Sequence, residues 1–120
     1  MAGTVTITEE TIGTVKKIIF AWTSDADGAA DGITTKVYAG EVIRLVTVPS
    51  GVAAPTNLYD IQVLDADGLD VLAMGGANRS TLNTEQVLEA SLGCVANSKL
   101  ALSIANAGNA KAGTVYLYIR

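Results

Sequence analysis

Val42-Ile43-Arg44-Leu45-Val46-Thr47-Val48-Pro49 is the stretch that decides how this chain folds. It is β-branched and apolar, and turn signals bound it at Gly40 and at Pro49-Ser50-Gly51. Side chains alternate along a strand, so Ile43 and Leu45 point to one side and Val42, Val46 and Val48 to the other. Both faces are mainly apolar, which predicts a central strand covered on both sides. In a chain of 120 residues, part of that cover is expected to come from another subunit. Arg44 is out of place in such a strand. It either pairs with Glu41 or Asp60, snorkels to solvent from an edge, or makes a salt bridge across an interface.

Outward from this stretch, Thr4 to Thr8 alternates, with Val5 and Ile7 on one face and the threonines on the other. It reads as a half-buried strand or as an arm that adds to a sheet, ended by Glu9-Glu10-Thr11-Ile12-Gly13. Thr14 to Thr23 has apolar groups on both faces, and Trp22 needs a partner for its indole N–H if it is buried. Asp25 to Gly32 is a loop. Ile33 to Tyr38 reads as a strand forming a hairpin with the organising strand through Ala39-Gly40-Glu41. Tyr59 to Leu64 and Leu69 to Met74 flank Asp65-Ala66-Asp67-Gly68. A left-handed Gly68 in a three-residue loop pairs Val63 with Val71 and Ile61 with Ala73, and keeps Asp65 from facing Asp70. Over 83–90, Asn83-Thr84-Glu85-Gln86 is either a capping box opening about two helical turns or part of an extended connection. Leu100, Leu102 and Ile104 face inward in the next strand, as do Val115, Leu117 and Ile119 in the last, which runs to Arg120. Short strands at this spacing predict an all-β single domain over 1–120, a β-sandwich of jelly-roll type. Seven or eight short antiparallel strands are expected, with 1–12 free to act as an N-terminal arm.

Composition narrows the function classes. The net charge is −4 and charged residues make up 17%. Nucleic-acid binding needs clustered Lys and Arg to displace phosphate counterions, and the one basic pair is Lys16-Lys17. The same scarcity argues against a basic membrane-surface helix, and no stretch is long and apolar enough to span a bilayer. A low charge count with positive mean hydropathy points to a surface hidden in an assembly. The N-terminus lacks the pattern of a secretory signal, so synthesis in a reducing cytoplasm is expected.

No motif brings chemistry with it. The chain has no histidine, which removes Ser-His-Asp and Cys-His nucleophiles and His-based metal sites. Cys94, the single cysteine, reads as a small buried hydrophobe. Asp25, Asp27 and Asp31, and again Asp65, Asp67 and Asp70, suggest calcium. Counted from Asp25 or Asp65, however, glycine falls at position 4, and Lys36 or Gly76 stands where a bidentate glutamate is required. These are turn residues. Two acids could meet as a glycosidase pair, but six aromatics are thin provision for a sugar cleft. Gly75-Gly76-Ala77-Asn78-Arg79 lacks the strand–glycine–helix context of a phosphate loop. No catalytic residue, cofactor or metal is assigned.

Gly3-Thr-Val-Thr-Ile-Thr-Glu-Glu-Thr-Ile-Gly13, Val42 to Pro49, Gly113-Thr-Val-Tyr-Leu-Tyr-Ile-Arg120 and the middle from Tyr59-Asp60 to Gln86 resemble small β-rich structural proteins of tailed bacteriophages. The resemblance covers nearly the whole chain. It implies a virion location and a capsid decoration (cement) role. The partners implied are the major capsid protein or another virion protein, and further copies of the chain as a dimer or trimer. A carbohydrate- or receptor-binding module of a tail or baseplate, using Trp22 or Tyr38, and a tail-tube or connector subunit are the alternatives. The residues expected at an interface are Thr4, Val5, Thr6, Ile7, Thr8, Arg44, Tyr116 and Tyr118, with residues 2–8 pairing to a neighbouring chain.

Overall fold

The computed structural model describes residues 3–120 and contains nine strands in two antiparallel sheets. They are β1 (Thr4–Ile12), β2 (Val15–Thr23), β3 (Ala30–Ile33), β4 (Tyr38–Pro49), β5 (Asp60–Leu64), β6 (Glu85–Leu88), β7 (Cys94–Ser98), β8 (Ala101–Ala105) and β9 (Ala112–Ile119). The larger sheet runs β1-β2-β9-β4-β6, with β7 also on β4, and the smaller runs β3-β8-β5. A single core lies between them, built from Ile18, Phe20, Trp22, Val42, Leu45, Val115, Leu117 and Ile119 on one side. Ile61, Val63, Leu100, Leu102 and Ile104 meet them from the other. The inward alternation read for 100–104 and 115–119 is borne out.

β4 differs from its expected pattern in a way that sets the whole surface. Val42 pairs with Ile119 and Arg44 with Tyr118, so Ile43 is an extra residue, a β-bulge. The bulge reverses the alternation. Val42, Leu45 and Thr47 therefore turn into the core, while Arg44, Val46 and Val48 share the opposite face. Leu45 and Ile43 do not share a face as the simple period predicts. Within the described chain the strand is covered on its inner side only, and no element lies over the outer face.

Three other expectations are corrected. β1 does not end at Glu9-Glu10. It continues to Ile12 and pairs with β2 from Thr4–Thr23 to Ile12–Val15 across a two-residue turn whose Gly13 has φ 61°. Of the two readings of this segment the half-buried strand holds, since residues 4–12 pair within this chain's own sheet, and Ala2 lies outside the described residues. Ile33–Tyr38 makes no hairpin with β4. β3 ends at Ile33 in the smaller sheet, and the chain crosses to the larger one over 34–37. Buried Thr34 fixes that crossing, its hydroxyl donating to Lys36 O and accepting Leu100 N–H at 2.9 and 3.0 Å. The loop at Asp65–Gly68 behaves as read, with Gly68 at φ 76° and Val71 N–H bonded to Val63 O at 2.8 Å. Leu69 to Met74 is nonetheless no strand. The chain turns away after Val71, with Ala73 at φ 48°, and Ile61 N–H goes to Gly76 O instead. Of the two readings of 83–90, the extended one holds, with β6 leading into a three-residue 3-10 turn at Glu89–Ser91.

Candidate interaction face

The outer face of the larger sheet is the broader of the two sheet faces that the described residues leave open. Its rows follow from the strand register. Glu10, Lys17, Tyr118, Arg44 and Leu88 lie side by side across five strands. Thr8, Ile19, Tyr116, Val46 and Gln86 form the next row. Thr6, Ala21, Thr114 and Val48 form the third. Cross-strand neighbours sit about 5 Å apart, so these side chains touch. Lys17 Nζ stands 5.4 Å from the Tyr116 ring centre, and the Arg44 guanidinium 5.3 Å from that of Tyr118. Arg44 Nε–H also donates to Gln86 Oε1 at 2.9 Å. Each ring thus has a cation beside it, and Val46 is shielded to 8% exposure by its neighbours although no element of the described chain covers it.

The structure brings six of the eight expected interface residues to this face: Thr4, Thr6, Thr8, Arg44, Tyr116 and Tyr118. Val5 and Ile7 point the other way, half-buried, with Val5 against Gly32 of β3. Arg44 pairs with neither Glu41 nor Asp60 and sits on a central strand rather than an edge. Lys17, Ile19 and Val46 were missed as members of the face. The alternation Lys17-Ile19-Ala21 carried the signal, but the bulge at Ile43 hid Val46. Trp22 and Tyr38 are buried, at 2% and 4%, so neither offers a ring to a sugar. The Trp22 indole N–H has no protein partner, and the Tyr59 hydroxyl beside it has none either. Cys94, expected inside, is exposed, because β7 turns Val95 inward and Cys94 out.

The acidic loops are turn structures of one design used twice. In Asp25–Ala29 and Asp65–Leu69 the first aspartate's Oδ1 accepts the N–H groups two and four residues on. The distances are 2.8 and 3.0 Å in one loop and 2.9 and 3.0 Å in the other. The N–H groups of Ala29 and Asp27 hold the Asp25 carboxyl below its ordinary pKa. Asp70 is similarly engaged, accepting from Val63, Leu72 and Met74. With Asp60, Gln62, Met74 and Ser103 it lines an open depression of about 420 Å³ on the smaller sheet.

Glu9 fastens β1 to the crossing between sheets. Its carboxylate accepts from the Thr35 hydroxyl and N–H at 2.7 and 3.2 Å, from Lys36 N–H at 3.1 Å and from the Tyr38 hydroxyl at 2.8 Å. Partial burial pushes its pKa up, but these bonds outweigh burial and hold it below the ordinary value. Burial, then the bond to Glu9, raises that of Tyr38. A carboxyl group with a lowered folded pKa stabilises the fold above its unfolded value of about 4.5, and that stability is lost as pH falls through the folded one. Glu9→Gln is therefore expected to lower stability by about 1–2 kcal/mol at neutral pH, at the modest end for bonds to a charged group because the site is half-exposed. Denaturant melts of the two proteins are expected to converge at acid pH, and an undiminished gap there would show that the charge is not the cause.

Compared with protein-family models, with curated proteins and with solved structures, the chain matches none.

Proposed function

We propose that this chain is a non-enzymatic structural protein of a tailed-bacteriophage particle, a decoration protein that sits on the outer capsid surface and stabilises the head. It is made in the host cytoplasm, carries no cofactor and acts as a homo-oligomer on the major capsid protein. The observation that carries this reading is the outer face of the larger sheet, where Ile19, Val46, Tyr116 and Tyr118 stand together as apolar neighbours, each tyrosine with a cation beside its ring. Aromatic side chains already fixed in one rotamer lose little entropy on docking, and contacts repeated over a shell multiply weak single affinities. The stretches that resemble small phage structural proteins include the β1, β4 and β9 strands of this sheet. The strand order also supports a jelly-roll reading. β2-β9-β4-β7 faces β3-β8-β5, and the chain changes sheet at every link from β2 to β6 and from β7 to β9.

Binding to empty capsids, read by co-sedimentation and by imaging of the particles, tests the proposal. Wild-type protein is expected to decorate the shell. Tyr116→Ala and Ile19→Glu, which change half-exposed outward side chains, are expected to keep the fold by circular dichroism and to bind at least tenfold more weakly, about 1.4 kcal/mol. Wild-type protein that ignores capsids, or variants that bind as well as wild type, would overturn it. Rings or stacked tubes formed by the protein alone would move it to the tail tube.

A further inference from the structure

We infer that the free edge of β1 is a self-association edge, on which two copies pair antiparallel about a two-fold axis at Thr8. Sheet edges are normally blunted by proline, charged side chains and above all lysine, bulges, short length or a covering segment. Three of the four edges in this fold are blunted. β3 has four residues. The edge of β5 is bonded by Val71, Gly76 and Asp70. β6 and β7 are interrupted by the Glu89–Ser91 turn. The edge of β1 is different. It runs nine residues in unbroken register with β2 and contains neither proline nor lysine, and seven of the nine are threonine or β-branched aliphatics of high strand propensity. Of its two acids, Glu9 is taken up by Thr35, Lys36 and Tyr38, while Glu10 lies on the outer face.

The hairpin fixes which backbone groups are free. A two-residue turn at Gly13-Thr14 makes Ile12 and Val15 a hydrogen-bonded pair, so Thr4, Thr6, Thr8, Glu10 and Ile12 direct their N–H and C=O groups to β2. Val5, Ile7, Glu9 and Thr11 direct theirs outward, and no strand among the described residues pairs with that side. One antiparallel register satisfies all of them at once. With residues 4–12 of both copies fully overlapped, Val5 meets Thr11 of the second copy and Ile7 meets its Glu9, and the reverse. On the outer side Thr8 meets Thr8 and Thr6 meets Glu10, so no carboxylate faces another. That self-complementarity is what singles out a second copy of this chain as the occupant. Because a two-fold axis of this kind is perpendicular to the sheet, the outer faces of both copies point to the same side. The pairing stands whether or not that face meets a shell.

The test is sedimentation and cross-linking of the purified chain. Wild-type protein is expected to shift with concentration from 12.3 kDa to twice that mass. Thr8→Lys, which places two cations against each other at an exposed position, is expected to weaken the dimer at least tenfold while leaving the melting temperature of the monomer unchanged. In a Cys94→Ser background, Thr8→Cys is expected to form a disulfide-linked dimer at least tenfold faster than Thr6→Cys, because only position 8 meets itself across the axis. A protein that stays at 12.3 kDa at millimolar concentration, or position 6 cross-linking as fast as position 8, would overturn the pairing or its register. Dimerisation without capsid binding would leave this inference intact and sink the decoration reading.

Discussion

Gly40→Ala is expected to remove a large part of the stability of this protein, about 3 kcal/mol or more, where an ordinary exposed substitution stays within about 0.5 kcal/mol. Gly40 sits in β4 just before the bulge, with φ 136°. A Cβ there would lie 2.1 Å from the carbonyl oxygen of Arg120 and 2.9 Å from its carbonyl carbon. Those are backbone atoms. They cannot swing aside without breaking the paired bonds between Glu41 and Arg120, at 3.0 and 2.9 Å. Two other glycines separate the contributions. Gly13 has φ 61° but open space around it, so Gly13→Ala carries the backbone strain alone, about 1 kcal/mol. Gly51 has neither strain nor neighbours, so Gly51→Ala is expected to be near neutral. Chemical denaturation of the three variants is expected to rank them in that order. Equal losses at positions 40 and 13 would show that the contact with Arg120 costs nothing.

What the sequence made legible was whatever has a short period. The two-residue alternation of Leu100-Leu102-Ile104 and Val115-Leu117-Ile119 names the inner faces of β8 and β9 without error, because neither strand contains a bulge. The same rule misplaced Ile43, since one inserted residue inverts everything beyond it and leaves no compositional mark. Tyr38 was placed on the wrong strand for a related reason. Ile33 to Tyr38 has strand-like composition, yet buried Thr34 and the Glu9 clasp hold part of it as a crossing, and both depend on residues far away in sequence. The interaction face was half legible. Tyr116 and Tyr118 stand on one side by alternation, but their neighbours Lys17 and Arg44 come from β2 and β4, and only the sheet order places β9 between those strands. The low charge count agrees with the many exposed apolar side chains but could not say where they lie, and Ile33, Val52, Leu58, Leu69, Met74 and Leu82 all lie off this face.

Trp22→Ala is the second large effect, and its two components can be separated. Trp22 is 2% exposed on β2, its ring packed over Gly113 and 5.6 Å from that of Tyr59. Truncating a buried Trp to Ala costs about 3–5 kcal/mol through lost transfer energy and the cavity left behind. In a chain of this size that is a fall in melting temperature of roughly 15 °C. Part of the wild-type burial is offset, however, because the indole N–H is inside without a partner and the Tyr59 hydroxyl has only the Thr47 hydroxyl near it, short of a well-formed bond, and such a group costs about 1–3 kcal/mol to desolvate. Tyr59→Phe removes one such group without changing the ring, so it is expected to be neutral or stabilising although Tyr59 is fully buried. The same burial pushes the Tyr59 pKa up to about 12. The unfolded chain ionises this phenol first, so wild-type stability falls as pH rises from about 10 towards 12, and Tyr59→Phe is expected to flatten that fall. A Tyr59→Phe protein markedly less stable than wild type at neutral pH would mean that the hydroxyl has a partner in solution, and buried water between Tyr59, Thr47 and Trp22 would then be the group to look for.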